Sequence, residues 1–124
     1  MDQESEESQG KEMRICFDLD GTLCTGNYDE AQPLPGIKEL LIRLKDEGHV
    51  IIIHTARGMN TNRANIGKVT ATLAKLTLEQ LDKWEFVYDE VIFGKPAADL
   101  YVDDKAMNAA LIYQVEDVLR SRNG

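Results

Sequence analysis

The chain has 124 residues, of which 43% are hydrophobic and 29% are charged, enough for one domain with a single core. Twenty-two acidic residues outnumber fourteen basic ones, and the formal net charge of −8 argues against a nucleic-acid partner. No apolar run approaches the roughly 18 residues that a membrane span needs, so we expect no membrane partner. Two cysteines are too few for a disulfide framework, and the N-terminus lacks a secretory pattern, which favours a cytoplasmic location.

The first twelve residues differ in composition from the remainder. Residues 1–12 (MDQESEESQGKE) contain five acids, one base and almost nothing that could be buried in a core. This composition predicts a flexible acidic tail at residues 1–12, followed by one folded domain over residues 13–124.

The first half of that domain alternates strand and helix signals. Residues 14–19 (RICFDL) predict a buried strand in which Cys16 is a small core residue. Apolar residues at helical spacing predict a helix that starts at Ile37 and is closed by Gly48. Residues 49–55 (HVIIIHT) are apolar on both faces, which is typical of a central parallel strand.

The second half continues the alternation. A helical pattern runs from Ile66, and Thr77-Leu-Glu-Gln80 resembles a capping box that starts a second short helix. Strands are predicted at residues 87–93 and 100–102, and a last helix at residues 106–120. Alternating β and α units of this length predict a doubly wound α/β domain, in which helices cover both faces of a parallel sheet in three layers.

Polar residues collect where the predicted strands end, and ligands of open parallel sheets bind outside those ends. Several carboxylates at one edge would repel one another unless a cation lay among them, and oxygen ligands favour Mg²⁺. The residues at these strand ends are Asp18, Asp20, Thr55, Lys95, Asp103 and Asp104.

The spacing of Asp18 and Asp20 suits two different roles. Asp20 falls where the strand turns into the loop at Gly21, so its side chain can turn away while its carbonyl binds the metal. This arrangement suits one carboxylate as a nucleophile and the other as a general acid and then a general base. Thr55 and Lys95 are placed to contact phosphoryl oxygens.

Four short motifs resemble those of the haloacid dehalogenase superfamily of phosphotransferases. The run 18–22 (DLDGT) resembles its first motif, DxDGT, and Thr55 at the end of VIIIHT resembles the second. Lys95 in FGKP resembles the third motif, and Asp103-Asp104 in LYVDD resembles the fourth. The motifs occur in the expected order and span most of the predicted domain.

This resemblance implies Asp18 as the aspartyl-phosphate nucleophile, Asp20 as the acid and base, and Thr55 and Lys95 as stabilisers of the phosphoryl group. Direct coordination by Asp103 is favoured, whereas Asp104 could bind the metal directly, through water, or through another ligand. The Mg²⁺ ligands implied by the resemblance are Asp18, the Asp20 carbonyl, Asp103 and Asp104.

Residues 22–35 leave room only for a small flap, so the chain resembles members of the superfamily without a large cap. Such enzymes accept a large substrate or close the site with a neighbouring subunit, and we therefore expect a homo-oligomer. Arg57 is either a ligand of a substrate phosphate or sugar, or a solvated loop charge. The candidate substrate-binding residues are Gly21, Thr22, Tyr28 and Arg57.

The predicted activity is a Mg²⁺-dependent phosphomonoester hydrolase with a small phosphorylated metabolite as its partner. Within the superfamily the chain resembles phosphatases associated with capsular or surface polysaccharide synthesis, which favours a sugar phosphate. A similar layout in small 5′-nucleotidases leaves that activity as an alternative. A binding module that has lost the chemistry is disfavoured, because it has no use for a general acid at Asp20.

Overall fold

Three parallel strands form one sheet in the computed structural model, which describes residues 12–123. The strands are β1 (Arg14–Asp18), β2 (Val50–Thr55) and β3 (Glu90–Phe93), and β2 lies between the other two. The acidic tail predicted at residues 1–12 lies outside the described residues except for Glu12.

The connections between strands contain helices, as the alternating pattern predicts. The three α-helices are α1 (Ile37–Asp46), α2 (Ile66–Lys83) and α3 (Val115–Asn123), with 3-10 turns at Tyr28–Glu30 and Ala109–Gln114. The predicted fold class, a parallel α/β domain, is confirmed. No helix within residues 12–123 has the length and apolar character needed to cross a membrane.

One hydrophobic core joins α1 to the sheet. Ile37, Leu40, Leu41 and Leu44 are buried on one face of α1, because residues three and four apart lie on the same side of a helix. They belong to the same buried cluster as Ile51 and Ile53, alternate residues of β2. Each such side chain contributes about 1.5–3 kcal/mol on burial, so this core fixes the position of β2.

The register of the sheet sets where the strands end. Asp18 of β1 pairs with His54 of β2, and Thr55 of β2 pairs with Phe93 of β3. The carboxyl ends of all three strands therefore lie at one edge, as predicted from the sequence.

Two expectations about β1 and its surroundings were wrong. Residues 100–102 do not form a strand, and Leu100 and Val102 are 77% and 89% exposed. Within the described residues, β1 consequently pairs only with β2 and is an edge strand. Cys16, predicted to lie in the core, is exposed, because it points to the face of β1 opposite to that of its buried neighbour Phe17.

Two helix boundaries also differ from the expectations. The predicted break at Thr77 is absent, because α2 continues through it to Lys83 and both Thr77 and Gln80 are buried inside the helix. The last helix was expected from residue 106, but Asn108 instead caps a 3-10 turn by accepting a hydrogen bond from the Ala110 amide.

Candidate active site

A cleft of about 440 Å³ opens at the carboxyl edge of the sheet. Its walls come from the loops that follow β1, β2 and β3, which is where parallel sheets bind their ligands. The residues that line it are Asp18, Asp20, Tyr28, Ala56, Arg57, Asn60, Lys95, Ala97, Ala98, Asp99 and Tyr101.

The loop after β1 is a tight turn built around one carbonyl. The Leu19 carbonyl accepts hydrogen bonds from the amides of Thr22 and Leu23, at 3.1 and 2.9 Å. Gly21 has a φ of +83°, a left-handed conformation that a glycine adopts without strain. Leu23 and Cys24 are fully buried, so the turn is anchored in the core immediately after the two aspartates.

The carboxylate of Asp18 is the more accessible of the two. Its Oδ1 lies 3.4 Å from the Lys95 ammonium, and its Oδ2 accepts a hydrogen bond of 3.4 Å from the Thr22 hydroxyl. Both contacts are longer than the usual range for charged partners, and the side chain is 34% exposed. Asp18 therefore keeps lone pairs that face the cleft and can engage a ligand.

The carboxylate of Asp20 is held by a guanidinium. Arg57 Nε lies 2.9 Å from Oδ2 and 3.2 Å from Oδ1, and Arg57 Nη2 donates to Oδ1 at 2.9 Å. This forked contact is the strong geometry of an arginine–carboxylate pair. The Arg57 side chain is fully buried, whereas that of Asp20 keeps 20% exposure towards the cleft.

The other end of the guanidinium is bound to α2. Arg57 Nη1 donates to the Thr77 hydroxyl at 3.0 Å and to Gln80 Oε1 at 2.6 Å. The Gln80 amide in turn donates to the Tyr28 carbonyl at 2.6 Å, and the Arg57 Cζ lies 5.5 Å from the centre of the Tyr28 ring. Arg57, predicted as a substrate contact, thus has a guanidinium committed to protein groups.

Thr55 lies beneath the cleft rather than in its wall. It is almost completely buried, and its hydroxyl accepts a hydrogen bond of 3.1 Å from the Arg57 amide. The Thr55 carbonyl also accepts a hydrogen bond of 3.1 Å from the Lys95 amide. Thr55 therefore joins the loop that carries Arg57 to the loop that carries Lys95.

Lys95 stands between an acid and an aromatic ring. Its ammonium lies 3.4 Å from Asp18 Oδ1 and 4.4 Å from the centre of the Tyr101 ring. A cation at that distance from a ring is attracted to the ring face. The Tyr101 hydroxyl donates to the Pro96 carbonyl, which fixes the ring beside the cleft.

A thiol lies behind Asp20. Burial, and then the charge of Asp20, raises the pKa of Cys24 to about 12. The thiol therefore stays protonated near neutral pH, and it donates a long hydrogen bond of 3.5 Å to Asp20 Oδ1.

The structure does not bring Asp103 and Asp104 to this cleft. Both are exposed, and Asp103 Oδ1 accepts a hydrogen bond of 2.7 Å from the Lys105 amide. Among residues 12–123, no three His, Cys, Asp or Glu side chains gather into a metal site. Asp18 retains an accessible carboxylate suited to Mg²⁺, an ion that commonly uses one or two carboxylates together with phosphate oxygens and water.

Several residues at the site were not anticipated. Asn60, Asp99 and Tyr101 line the cleft but lie in loops whose sequence carries no distinct signal. Thr77 and Gln80 do carry a signal in their i,i+3 spacing, but that spacing also predicts a capping box. The same spacing places both side chains on one face of α2, where they receive the guanidinium.

Part of the chain matches a known protein family. Residues 15–80 match the family described as haloacid dehalogenase-like hydrolase. The chain belongs to this hydrolase family. The match covers the aspartates Asp18 and Asp20, Thr55 and Arg57, and most of α2. Membership in the haloacid dehalogenase-like hydrolases confirms the resemblance seen in the sequence motifs.

Some solved structures are also similar to this chain. A crystal structure of an MCSG target from Vibrio cholerae is 30% identical, with a TM-score of 0.76, over 89% of this chain and 98% of that one. The D,D-heptose 1.7-bisphosphate phosphatase from B. bronchiseptica, complexed with magnesium and phosphate, is 17% identical with a TM-score of 0.48, over 90% and 64% of the two chains.

A Pnkp1/Rnl/Hen1 complex contains a chain that is 21% identical, with a TM-score of 0.49, over 83% of this chain and 33% of that one. At this level of similarity, neither this complex nor the heptose bisphosphate phosphatase bears on what the hydrolase described here does. No curated protein matches the sequence significantly.

Proposed function

We propose that this hydrolase is a phosphomonoesterase in which Asp18 is the nucleophile. The observation that supports this most strongly is the accessible Asp18 carboxylate, which faces a cleft beside a lysine and close to a second, firmly held carboxylate. A lysine next to the attacking oxygen also provides a positive charge for the phosphoryl oxygens.

The proposed reaction has two steps. First, an Asp18 oxygen forms a bond to phosphorus, the bond from phosphorus to the leaving oxygen breaks, and Asp20 gives that oxygen a proton. In the second step a water molecule attacks phosphorus and gives a proton to Asp20, the aspartyl–phosphorus bond breaks, and inorganic phosphate leaves. Lys95 stabilises the negative charge on the phosphoryl oxygens in both steps.

Mg²⁺ is the proposed cofactor, held by the Asp18 carboxylate and the Asp20 carbonyl. It would neutralise phosphoryl charge when bound. Asp103 and Asp104 remain proposed ligands on the strength of their motif. To reach the cleft, their exposed segment would have to move.

A small, polar phosphate ester is the proposed substrate, with a sugar phosphate of polysaccharide synthesis as the first candidate. Side chains able to hydrogen-bond hydroxyl groups line the cleft beyond Asp18, among them Asn60 and Asp99. A screen of phosphorylated metabolites that tests sugar phosphates before nucleotides would identify the leaving group.

The decisive experiment replaces the proposed nucleophile. With Mg²⁺ and p-nitrophenyl phosphate, Asp18→Asn should lower phosphate release by at least about a thousandfold, since the amide cannot form the aspartyl phosphate. The fold should persist, because an asparagine oxygen still accepts the hydrogen bond from Thr22. Circular dichroism and thermal unfolding check the fold, and a colorimetric assay measures the rate.

A matched control is Asp117→Asn, an exposed acid of α3 that bonds only to Arg120 in the same helix and should retain full activity. Chelation of divalent ions should abolish wild-type activity, and Mg²⁺ should restore it. Retention of more than a tenth of the activity by Asp18→Asn would show that another group is the nucleophile.

A further inference from the structure

We infer that Arg57 is the positioning residue for Asp20, and that Thr77 and Gln80 of α2 hold Arg57 in place for that task. The inference rests on the proposed function, because positioning Asp20 matters only if Asp20 is the acid and base of that reaction. Arg57 therefore binds a group of the protein, Asp20, instead of the substrate group expected from the sequence.

The two oxygens of Asp20 have unequal surroundings. Oδ1 accepts from Arg57 Nη2 at 2.9 Å, from Arg57 Nε at 3.2 Å and from the Cys24 thiol at 3.5 Å. Oδ2 accepts a single short hydrogen bond, from Arg57 Nε at 2.9 Å. An oxygen with three donors has no lone pair to spare, so Oδ2 is the atom that exchanges a proton with the leaving group and with water.

The guanidinium itself has no freedom to move. Its side chain is fully buried, and Thr77 Oγ1 and Gln80 Oε1 accept from its Nη1 on the side away from Asp20. A buried guanidinium without such acceptors would be strongly destabilised, so the two α2 side chains both satisfy and orient it. A planar, forked cation fixes a carboxylate in angle as well as in distance.

The arrangement serves both proton transfers of Asp20, but only the first of them involves the leaving group. Transfer of a proton from Asp20 Oδ2 to the leaving oxygen matters when that oxygen would otherwise depart as an unstable alkoxide. It matters little for p-nitrophenolate, which is stable as an anion. Loss of the α2 acceptors should therefore slow alkyl phosphates more than aryl phosphates, a difference that general loss of structure does not produce.

The experiment compares two substrates in three variants. Thr77→Val replaces the hydroxyl with a methyl group of similar size, and Gln80→Met removes the second acceptor. Each should lower kcat/KM, which reports only the step in which the leaving group departs, by about tenfold for glycerol 2-phosphate and by less than about threefold for p-nitrophenyl phosphate. The control is Thr72→Val, whose hydroxyl bonds only to carbonyls within α2 and which should match wild type with both substrates.

The outcomes separate this inference from the proposed function. Equal losses with the two substrates, or no loss in either folded variant, would overturn the positioning role while the activity itself stands. A wild-type protein inactive towards both substrates would overturn the proposed function and the inference with it. If Thr77→Val fails to fold, Gln80→Met decides the question, and circular dichroism identifies which variants are folded.

Discussion

Two cations face Asp18 and Asp20 in the cleft, and their settings differ. The Arg57 side chain is fully buried and makes a forked contact with Asp20 at 2.9 Å. Lys95 keeps 20% exposure and makes one longer contact of 3.4 Å with Asp18, which is 34% exposed. The Arg57–Asp20 pair is a buried, fixed contact of the fold. The Lys95–Asp18 pair is open enough to separate when a phosphate enters.

This difference follows from the chemistry of the two cations. A guanidinium can be buried when fixed acceptors satisfy its donors, and here Asp20, Thr77 and Gln80 accept hydrogen bonds from all three of its nitrogens. The ammonium of a lysine, at the end of a flexible side chain, is better suited than a fixed guanidinium to follow a moving ligand. Asp18 and Asp20 therefore differ in how firmly they are held, although they lie two residues apart.

The largest loss of stability is expected when the buried pair is broken. Arg57→Met leaves Asp20 without its counter-charge and Thr77 and Gln80 without their donor, and should lower the free energy of unfolding by about 3 kcal/mol. Urea denaturation followed by circular dichroism measures the change.

Its matched control is Arg43→Met, which breaks an exposed forked pair with Glu116. Solvent screens that pair, so a much smaller loss than that of Arg57→Met is expected. If the two substitutions cost the same, burial is not what distinguishes the Arg57 pair.

An intermediate effect is expected at Asp89, whose carboxylate accepts from the Lys45 ammonium at 2.8 and 2.9 Å and from the Ile51 amide at 2.8 Å. The hydrogen bond from Lys45, and then that from Ile51, lowers the pKa of Asp89 below its usual value of 3.8. Its side chain is 34% exposed, so screening limits the loss in Asp89→Asn to about 0.5–1 kcal/mol at pH 7.

The sign of the pH dependence follows from that lowered pKa. The unfolded chain binds a proton at Asp89 more readily than the folded one, so the stabilisation is complete above about pH 4 and is lost as the pH falls through the folded pKa. The gap between wild type and Asp89→Asn in urea denaturation should close on acidification. A gap that widens below pH 4 would contradict the assignment.

The smallest change in stability is expected at the open pair. Lys95→Met should alter the free energy of unfolding by less than about 0.5 kcal/mol, because its contact with Asp18 is long and partly solvated. Phosphate release should nevertheless fall by about a hundredfold, since the phosphoryl group loses its cation. Denaturation and steady-state kinetics on one preparation test both halves, and a large loss of stability would show that Lys95 is structural.

The parts of the fold that local sequence determines were predictable. The periodicity of residues 49–55 and the glycine after Asp20 are short-range signals, and they located β2 and the tight turn at Gly21. The family was recognisable because its motifs are short and lie at strand ends. The site residues Asp18 and Asp20 were found at the cleft for the same reason.

The remainder depends on contacts between distant segments. The partners of Arg57 lie 20 and 23 residues further along the chain, and no local pattern distinguishes an i,i+3 pair that starts a helix from one that receives a guanidinium. The exposure of Cys16 depends on which distant segments pack over its face of the sheet, which residues 14–19 alone cannot indicate.

The continuity of α2 has a mechanical consequence. Its eighteen residues form one uninterrupted helix about 27 Å long. In its later turns, Thr77 and Gln80 accept hydrogen bonds from Arg57. Ile66, at its first turn, lies so close to Gly94 that a methyl group there would come within 2.8 Å of the isoleucine side chain. The helix α2 thus contacts the backbone next to Lys95 at one end and the Arg57 side chain near the other. A tilt of α2 would therefore disturb both cations at once.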